Sequence, residues 1–152
     1  MGKIVLGYWQ DIHGLASPIR LLLEIAGVDY EEKLYNIDDR VDWDEKKESL
    51  EFTYPNLPYI IDGDRKMTEH LPIMRYISRK FGLAPTTEDE IIISDQTESL
   101  VFDLRFRFYM VAYAPVEIFD DKKTEWLRVA HRKLNYLDHL LEKNKYVTGS
   151  RL

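Results

Sequence analysis

The sequence predicts an α/β domain followed by an all-helical domain, and three observations support this division. Short apolar runs alternate with helical patterns over the first half of the chain, which is typical of β-α-β units. Turn-forming residues then interrupt the pattern, and two long helical patterns follow them. We therefore predict an α/β domain at residues 1–82, a linker at 83–87 and a partial all-helical domain at 88–152.

The first β-α-β unit is predicted at the amino terminus. Residues 3–9 form an apolar run that predicts a buried strand. A helix is expected to begin near Ser17 and Pro18, with the serine as its cap, and to end at Gly27. Residues 30–36 predict a second strand, which a right-handed helical crossover makes parallel to the first. The apolar face of the helix consists of Ile19, Leu22, Leu23 and Ala26.

The segment 55–63, Pro-Asn-Leu-Pro-Tyr-Ile-Ile-Asp-Gly, predicts a proline-headed strand that runs into a tight hairpin. Pro58 cannot donate a ladder hydrogen bond, so it fits a sheet edge, a strand start or a cis turn. A cis bond between Leu57 and Pro58 would turn the backbone groups of Leu57 outward, where an extended peptide ligand can pair with them. From spacing alone, an ordinary turn into a strand is the simpler interpretation.

The remaining elements complete the two domains. Short helices are predicted at 44–50 and 70–81, and the resulting order β-α-β-α-β-β-α is the thioredoxin-like arrangement. Residues 87–90 match a capping box, which predicts a long helix that Pro115 ends. A last helix is predicted at 120–144, with one apolar face made of Trp126, Leu127, Ala130, Leu134, Leu137 and Leu141.

Composition argues against several classes of function. The 152 residues carry a net charge of −6, which disfavours a nucleic-acid partner because phosphate binding requires a basic face. No apolar run reaches membrane-spanning length and no signal peptide is recognisable, so a cytoplasmic protein without a membrane partner is expected. The absence of cysteine excludes thiol redox chemistry on the protein, and the four histidines lack metal-site spacing.

Polar chemistry is predicted at the end of the first strand and at a helix start. Tyr8 and Trp9 end the first predicted strand, where open α/β sheets bind their ligands. The Tyr8 hydroxyl could stabilise a developing anion, or it could simply cap the sheet. Glu69 and His70 begin a predicted helix, whose free N–H groups and dipole attract anions.

A third candidate lies in the charged segment before the hairpin. Arg40 and Lys47 flank Trp43 there, and two cations beside an indole suit a ligand that carries a carboxylate. A solvated charged face is an equally good interpretation of this pattern.

Three segments together resemble a mu-class glutathione transferase. Residues 6–24, with Leu-Gly-Tyr-Trp, Asp-Ile, Gly-Leu-Ala and Pro-Ile-Arg-Leu-Leu-Leu-Glu, match the opening of that class. Residues 55–63 match its central segment almost letter for letter, and residues 75–80 resemble the following helix. The similarity covers essentially the whole chain. Because the family continues beyond Leu152 into further helices, the resemblance is to a member truncated at its carboxyl terminus.

The resemblance implies roles for the candidate residues. Tyr8 corresponds to the tyrosine whose hydroxyl stabilises the glutathione thiolate, and Tyr113 to a second tyrosine that assists electrophilic substrates. Asp103 corresponds to an acid that reaches glutathione in the partner subunit, and Tyr54 to an aromatic key that anchors the dimer. The other residues implied to bind glutathione are Trp9, Leu15, Arg40, Trp43, Lys47, Asn56, Leu57, Pro58, Glu69 and His70.

Three departures from the family pattern fall at the site. Gln10 is an extra residue directly after the Tyr-Trp pair, so the loop beside the catalytic hydroxyl has a different length. The segment between residues 35 and 43 is shorter than in the family. The family has a Gln-Ser pair at the start of the third helix, where this sequence has Glu69 and His70. Glu69 can pair with the γ-glutamyl ammonium. At position 70, however, the imidazole ring of histidine replaces the compact hydroxyl donor of serine.

The activity implied by the resemblance is conjugation of reduced glutathione to hydrophobic electrophilic small molecules, a detoxification reaction. It implies a cytoplasmic homodimer that uses glutathione as co-substrate and no cofactor or metal. The alternative is a non-catalytic glutathione-transferase-like binding protein with an altered or lost glutathione site. His70 and the absent carboxyl-terminal helices favour this alternative. The residues that favour the enzyme are Tyr8, Trp9, Asn56, Leu57, Asp103 and Tyr113.

Overall fold

The computed structural model describes residues 2–149 and divides the chain into two compact units, one ending at Ala84 and the other beginning at Pro85. Within the described residues, the first unit contains four strands and three α-helices, and the second contains two long α-helices. The fold is thus a thioredoxin-like α/β domain followed by a helical domain, as predicted. Positions 1 and 150–152, which include the predicted end of a truncated domain at Leu152, lie outside the described residues.

The predicted β-α-β unit is present. β1 (Ile4–Trp9) and β2 (Tyr30–Tyr35) are parallel neighbours, with α1 (Ser17–Ile25) as the connection between them. Their register pairs Ile4 with Tyr30 and Trp9 with Tyr35. Both strands therefore end at the same edge of the sheet.

The start of α1 differs from the prediction. A 3₁₀ turn over Gly14–Ala16 leads directly into the helix, so Ser17 already has helical backbone angles. Its N–H donates to the carbonyl oxygen of His13 at 2.9 Å, and Ala16 takes the N-cap position without a side-chain cap. The other end was predicted correctly, because Gly27 follows the helix with a φ of +64°.

The short helix predicted at 44–50 begins earlier than expected. α2 spans Val41–Lys46 and continues into a 3₁₀ helix over Lys47–Leu50. Asp42 and Asp44 lie in its first turn, where carboxylates interact favourably with the helix dipole. This acidic turn accounts for a start before residue 44.

The predicted hairpin joins β3 (Tyr59–Asp62) to β4 (Arg65–Thr68). Gly63 occupies the turn with a φ of +59°, a conformation that glycine adopts without steric cost. The preceding Leu57–Pro58 peptide bond is cis. β3 runs antiparallel to β1, which gives the sheet order β2-β1-β3-β4.

α3 (His70–Lys80) follows the hairpin and is joined to it by polar bonds at the end of β3. The Tyr76 hydroxyl donates to Asp62 at 2.6 Å, and Lys80 forms an ion pair with the same carboxylate. Burial raises the pKa of Asp62, but the bonds from Lys80 and Tyr76 outweigh it and hold that pKa below its usual range. The fully buried aliphatic core beside α3 comprises Leu6, Ile19, Leu23, Ile60, Ile73 and Ile77.

The second unit is built from α4 (Glu88–Ala112) and α5 (Val116–Leu141). The capping box is confirmed, because the Thr87 side chain accepts from the Glu90 N–H while the Glu90 side chain bonds back to the backbone of Thr87. The predicted start of α5 at residue 120 is wrong. Pro115 takes the N-cap position of α5, where it needs no N–H and its fixed φ suits the entry to a helix.

The predicted apolar face of α5 is only partly correct. Ala130 is buried and Trp126 is half-buried, but three members of the predicted face are about half exposed: Leu127, Leu134 and Leu141. A single neighbouring helix covers only a narrow seam, so a wide apolar stripe remains partly open. Across residues 2–149, no helix is both long enough and apolar enough to cross a bilayer.

Candidate active site

One edge of the sheet gathers residues from four separate parts of the first unit. The register places Tyr59, at the start of β3, opposite Gly7, near the end of β1. Tyr59 also pairs with Thr68 at the end of β4, directly before α3 begins. The end of β2 lies on the other side of β1. The Tyr-Trp pair, the segment before β3 and the start of α3 therefore all lie along this edge.

Tyr8 stands at the centre of the edge. Its side chain is buried, with 6% exposure, and its hydroxyl oxygen accepts a hydrogen bond from the Leu15 N–H at 2.9 Å. Accepting this bond polarises the O–H group and makes it a stronger donor. A phenol held in this way is suited to donate to an anion at the sheet edge.

Gly14 belongs to this arrangement, although the sequence analysis did not identify it. The residue has a φ of +36°, and an added Cβ would lie 3.1 Å from both Cε1 and Cζ of Tyr8 and closer still to the hydroxyl oxygen. Glycine is therefore needed here for backbone conformation and for space. Gly14 directly precedes Leu15 in the loop after β1, and this position in the sequence could have indicated its role.

The extra residue Gln10 lies in a turn that directly follows β1. Its N–H donates to the carbonyl of Tyr35 at 2.8 Å, and Asp11 completes the turn with a φ of +56°. The hydroxyl of Tyr8 still reaches the N–H of Leu15 beyond this turn. The change in loop length is thus compatible with the tyrosine geometry.

The two predicted cations take different positions around α2. The Arg40 guanidinium lies over the Trp9 ring, 5.3 Å from its centroid, within the range of a cation–π contact. Lys47 donates to Asp44 at 2.8 Å, and this bond holds the pKa of Asp44 below its usual range. Arg40 is thereby joined to the end of β1, whereas Lys47 is paired within its own segment.

Trp43 is a core residue. It is 4% exposed, and its ring meets Tyr35 edge-on, with centroids 5.3 Å apart, and stacks on Tyr59 at 6.1 Å. The solvated-face interpretation is therefore wrong for Trp43. Its contact with glutathione stays a prediction.

Asn56 holds two of the groups that were predicted to bind a ligand. Its Oδ1 accepts from the Leu57 N–H at 2.9 Å, and its Nδ2 donates to Glu69 Oε1 at 2.8 Å. The Leu57 N–H, expected to face an extended peptide, is thus paired with a side chain in this structure. Glu69 occupies the N-cap of α3 with a φ of +69°, and half-buried His70 is the first residue of that helix.

Asp103 lies in the second unit and takes part in a network of charges. It accepts from Lys133 Nζ at 2.5 Å and from Arg107 Nε at 2.9 Å, and these bonds hold the pKa of Asp103 below its usual range. It also lines a cavity of about 240 Å³ whose walls come from α4 and α5. Its carboxylate is therefore already engaged by two cations of its own unit.

Two tyrosines that were predicted to have functional roles have exposed side chains. Tyr113 is 84% exposed at the end of α4, with its ring 6.5 Å from that of Tyr109. Tyr54, in the first unit, is 72% exposed, while its carbonyl accepts from the Thr68 hydroxyl at 2.8 Å. The backbone at Tyr54 is thus fixed and its ring faces outward.

The polar side chains at the sheet edge suit an organic ligand with charged ends. They comprise a phenol, an indole, a carboxylate, an imidazole and a guanidinium. Within residues 2–149, no three His, Asp or Glu side chains lie close enough together to hold a metal ion.

A thioredoxin-like domain with a buried tyrosine at the end of its first strand, joined to a helical domain, defines the class of the glutathione transferases. Comparison with known families agrees, because the model for the glutathione S-transferase N-terminal domain matches residues 4–79. The chain belongs to the glutathione S-transferase family. The resemblance to the mu class is confirmed by relatives that carry that name.

Similar proteins extend the match over nearly the whole chain. Glutathione S-transferase B of Cavia porcellus is 41% identical over 98% of this chain and 70% of its own length. Glutathione S-transferase Mu 1 of Rattus norvegicus is 40% identical over 98% of this chain and 69% of its own length. The crystal structure of the glutathione S-transferase Blo t 8 superimposes with a TM-score of 0.88, at 35% identity, over 97% of this chain and 69% of that one.

Proposed function

We propose that this protein conjugates reduced glutathione to hydrophobic electrophilic small molecules by stabilising the glutathione thiolate. The observation that carries the proposal is the buried Tyr8 hydroxyl, held at the sheet edge by the Leu15 N–H. A phenol in this position donates to a sulfur anion more strongly than to a neutral thiol, because the bond to the anion is charge-assisted. The relatives that the chain matches are named glutathione S-transferases, which supports the enzyme over the non-catalytic alternative.

One charge-assisted hydrogen bond is about strong enough to lower the thiol pKa as far as the reaction requires. A free thiol has a pKa near ~8.5, and lowering it by about two units takes roughly 2.7 kcal/mol of differential stabilisation. A hydrogen bond to a charged group contributes about 1.5–3 kcal/mol. The Tyr8 hydroxyl can therefore supply most of the thiolate stabilisation, and proximity to a bound electrophile supplies further rate.

We further propose how glutathione lies along the edge. Its γ-glutamyl end binds at Glu69 and His70, where a carboxylate attracts the ammonium and the helix start attracts the carboxylate. Its cysteine pairs with the main chain of Leu57, after the Asn56 side chain has released the Leu57 N–H. The glycine end binds beside Trp9, Leu15, Arg40, Trp43 and Lys47, with Pro58 shaping the turn.

The finer features of the proposal concern assembly and setting. We propose a cytoplasmic homodimer in which exposed Tyr54 inserts into the partner subunit and Asp103 reaches the partner's glutathione. Tyr113 assists the electrophile, and no cofactor or metal is needed besides glutathione as co-substrate. We also propose the domain limits given above: a glutathione-binding domain at 1–82, a linker at 83–87 and a partial helical domain at 88–152.

Two linked measurements test the proposed function. The protein should be retained on immobilised glutathione and should conjugate a generic aryl halide. Tyr8→Phe should lower kcat by about one to two orders of magnitude and change glutathione affinity far less, because the lost bond strengthens as the thiol becomes a thiolate. An unchanged kcat at neutral pH would falsify the role of Tyr8. Failure of the wild type to bind glutathione would overturn the proposed function itself.

A further inference from the structure

Two buried tyrosines lie at strand ends along the active-site edge, and their hydroxyl groups bond to each other. Tyr35 ends β2 and Tyr59 begins β3; each is 2% exposed, and their hydroxyl oxygens are 2.9 Å apart. Either oxygen can be the donor of this hydrogen bond. Because both side chains are buried, removal of one hydroxyl leaves the other without its partner.

The Tyr59 ring occupies space that only a glycine in β1 leaves open. An added Cβ at Gly7 would lie 2.6 Å from Tyr59 Cδ1 and closer still to other atoms of the ring. Glycine within a strand interior often marks such a close approach. The ring therefore lies against β1 at the residue directly before Tyr8.

The tyrosine pair forms the surface against which α2 is held. Trp43 stacks on the Tyr59 ring, with an interplanar angle of 19°, and meets the Tyr35 ring edge-on. Phe52 packs on Tyr59 from the segment that follows α2, with ring centroids 4.9 Å apart. The residue before α2 is Arg40, whose guanidinium lies over Trp9. The orientation of the two rings thus fixes the helix that carries the predicted glycine-end groups.

We propose that Tyr35 and Tyr59 are positioning residues, which lock α2 through Trp43 so that Arg40 and Trp9 meet the carboxylate of the glutathione glycine. This inference rests on the proposed function and adds two residues to it. Neither hydroxyl bonds to the ligand. They act because their mutual bond fixes the tilt of two rings, and Trp43 packs on both.

The Tyr59 hydroxyl keeps its proton near neutral pH. Burial, followed by the bond to Tyr35, raises the pKa of Tyr59 well above its usual range. The effect of losing the bond should therefore appear as a constant change in glutathione KM and not as a shifted pH profile.

The test uses Tyr35→Phe, Tyr59→Phe and the double variant in the full chain. We expect either single change to raise glutathione KM about three- to tenfold and to leave kcat at saturating glutathione within about twofold of wild type. Each single variant leaves one buried hydroxyl unpaired, whereas the double variant leaves none. The double variant should therefore show a KM no higher than that of the worse single variant. It also keeps the test available if a single variant fails to fold.

A second readout does not require activity. Trypsin cleaves after Arg40, Lys46 and Lys47, so a loosened α2 should be cut faster there, as followed by mass spectrometry. Tyr76→Phe is the matched control, because it removes a hydroxyl that bonds to Asp62 in the same unit, away from α2. It should change neither KM nor cleavage at α2.

The outcomes separate the two ideas. If the variants have a lower melting temperature but unchanged KM and unchanged cleavage at α2, then Tyr35 and Tyr59 contribute only to stability, and the inference is wrong. A wild type that neither binds nor conjugates glutathione, with faster cleavage at α2 in the variants, would overturn the proposed function while the locking of α2 stands.

Discussion

Replacement of Gly14 by alanine tests whether the Tyr8 hydroxyl works from the position that it holds in this structure. The new Cβ would lie 3.1 Å from two ring carbons of Tyr8 and nearer still to its oxygen. An ordinary carbon–oxygen contact is about 3.3 Å, so the oxygen must withdraw by about 1 Å. Its present bond from the Leu15 N–H, 2.9 Å long, would then pass the usual limit of about 3.2 Å.

A displacement of this size should remove most of the contribution of the hydroxyl to catalysis. A hydrogen bond to a charged group is worth about 1.5–3 kcal/mol, which corresponds to roughly a 10- to 150-fold change in rate. We expect Gly14→Ala to lower kcat with an aryl halide towards that of Tyr8→Phe. The double variant should be little slower than Tyr8→Phe alone, because both changes act on the same bond.

Gly27→Ala provides a control for backbone strain. Gly27 also has a positive φ, +64°, but an added Cβ there meets no atom within 4 Å. Both variants incur about 1–2 kcal/mol of backbone strain, and only the change at Gly14 also crowds Tyr8. Gly27→Ala should therefore lose stability and retain kcat. Wild-type kcat in Gly14→Ala, or a double variant far slower than Tyr8→Phe, would refute the argument.

Two further predictions concern assembly and the γ-glutamyl end. Tyr54→Ala should shift the protein from dimer to monomer in sizing chromatography, because an aromatic anchor in a pocket dominates such interfaces. A wild type that is already monomeric at micromolar concentration would contradict this prediction. Glutathione affinity should weaken as pH rises through the imidazole range near ~6.5, because a protonated His70 attracts the γ-glutamyl carboxylate, and His70→Ser should lack that slope. A flat wild-type titration, or tighter binding by His70→Ser at every pH, would show instead that the ring obstructs the site.

Local patterns predicted the elements whose ends are set by their own residues. The hairpin follows from Gly63, whose backbone conformation the turn requires, and α4 follows from Thr87 and Glu90, which satisfy each other's backbone groups. The start of α5 was missed because Pro115 was interpreted as the end of one helix and not also as the entry to the next. Ser17 was misassigned because the 3₁₀ turn before it depends on the loop that reaches Tyr8.

The site was predicted less completely, because its geometry depends on contacts between distant segments. The position of Tyr8 at a strand end was visible in the sequence, but its need for space at Gly14 was not. Burial of Trp43 against Tyr35 and Tyr59 requires the sheet order, which brings the end of β2 and the start of β3 to opposite sides of β1. Such pairs become recognisable only after the strands are placed.

The bonds made by Asn56 couple the two halves of the proposed glutathione site. A ligand carbonyl that accepts from the Leu57 N–H displaces Asn56 Oδ1, and the released amide can then turn away from Glu69 and leave that carboxylate to an ammonium group. Occupation of either position thus lowers the free energy required to open the other, which is positive cooperativity within a single ligand. Two fragments, one with only the γ-glutamyl group and one with only the cysteine amide, should therefore each bind weakly. The sum of their favourable binding free energies should be smaller in magnitude than that of the intact tripeptide.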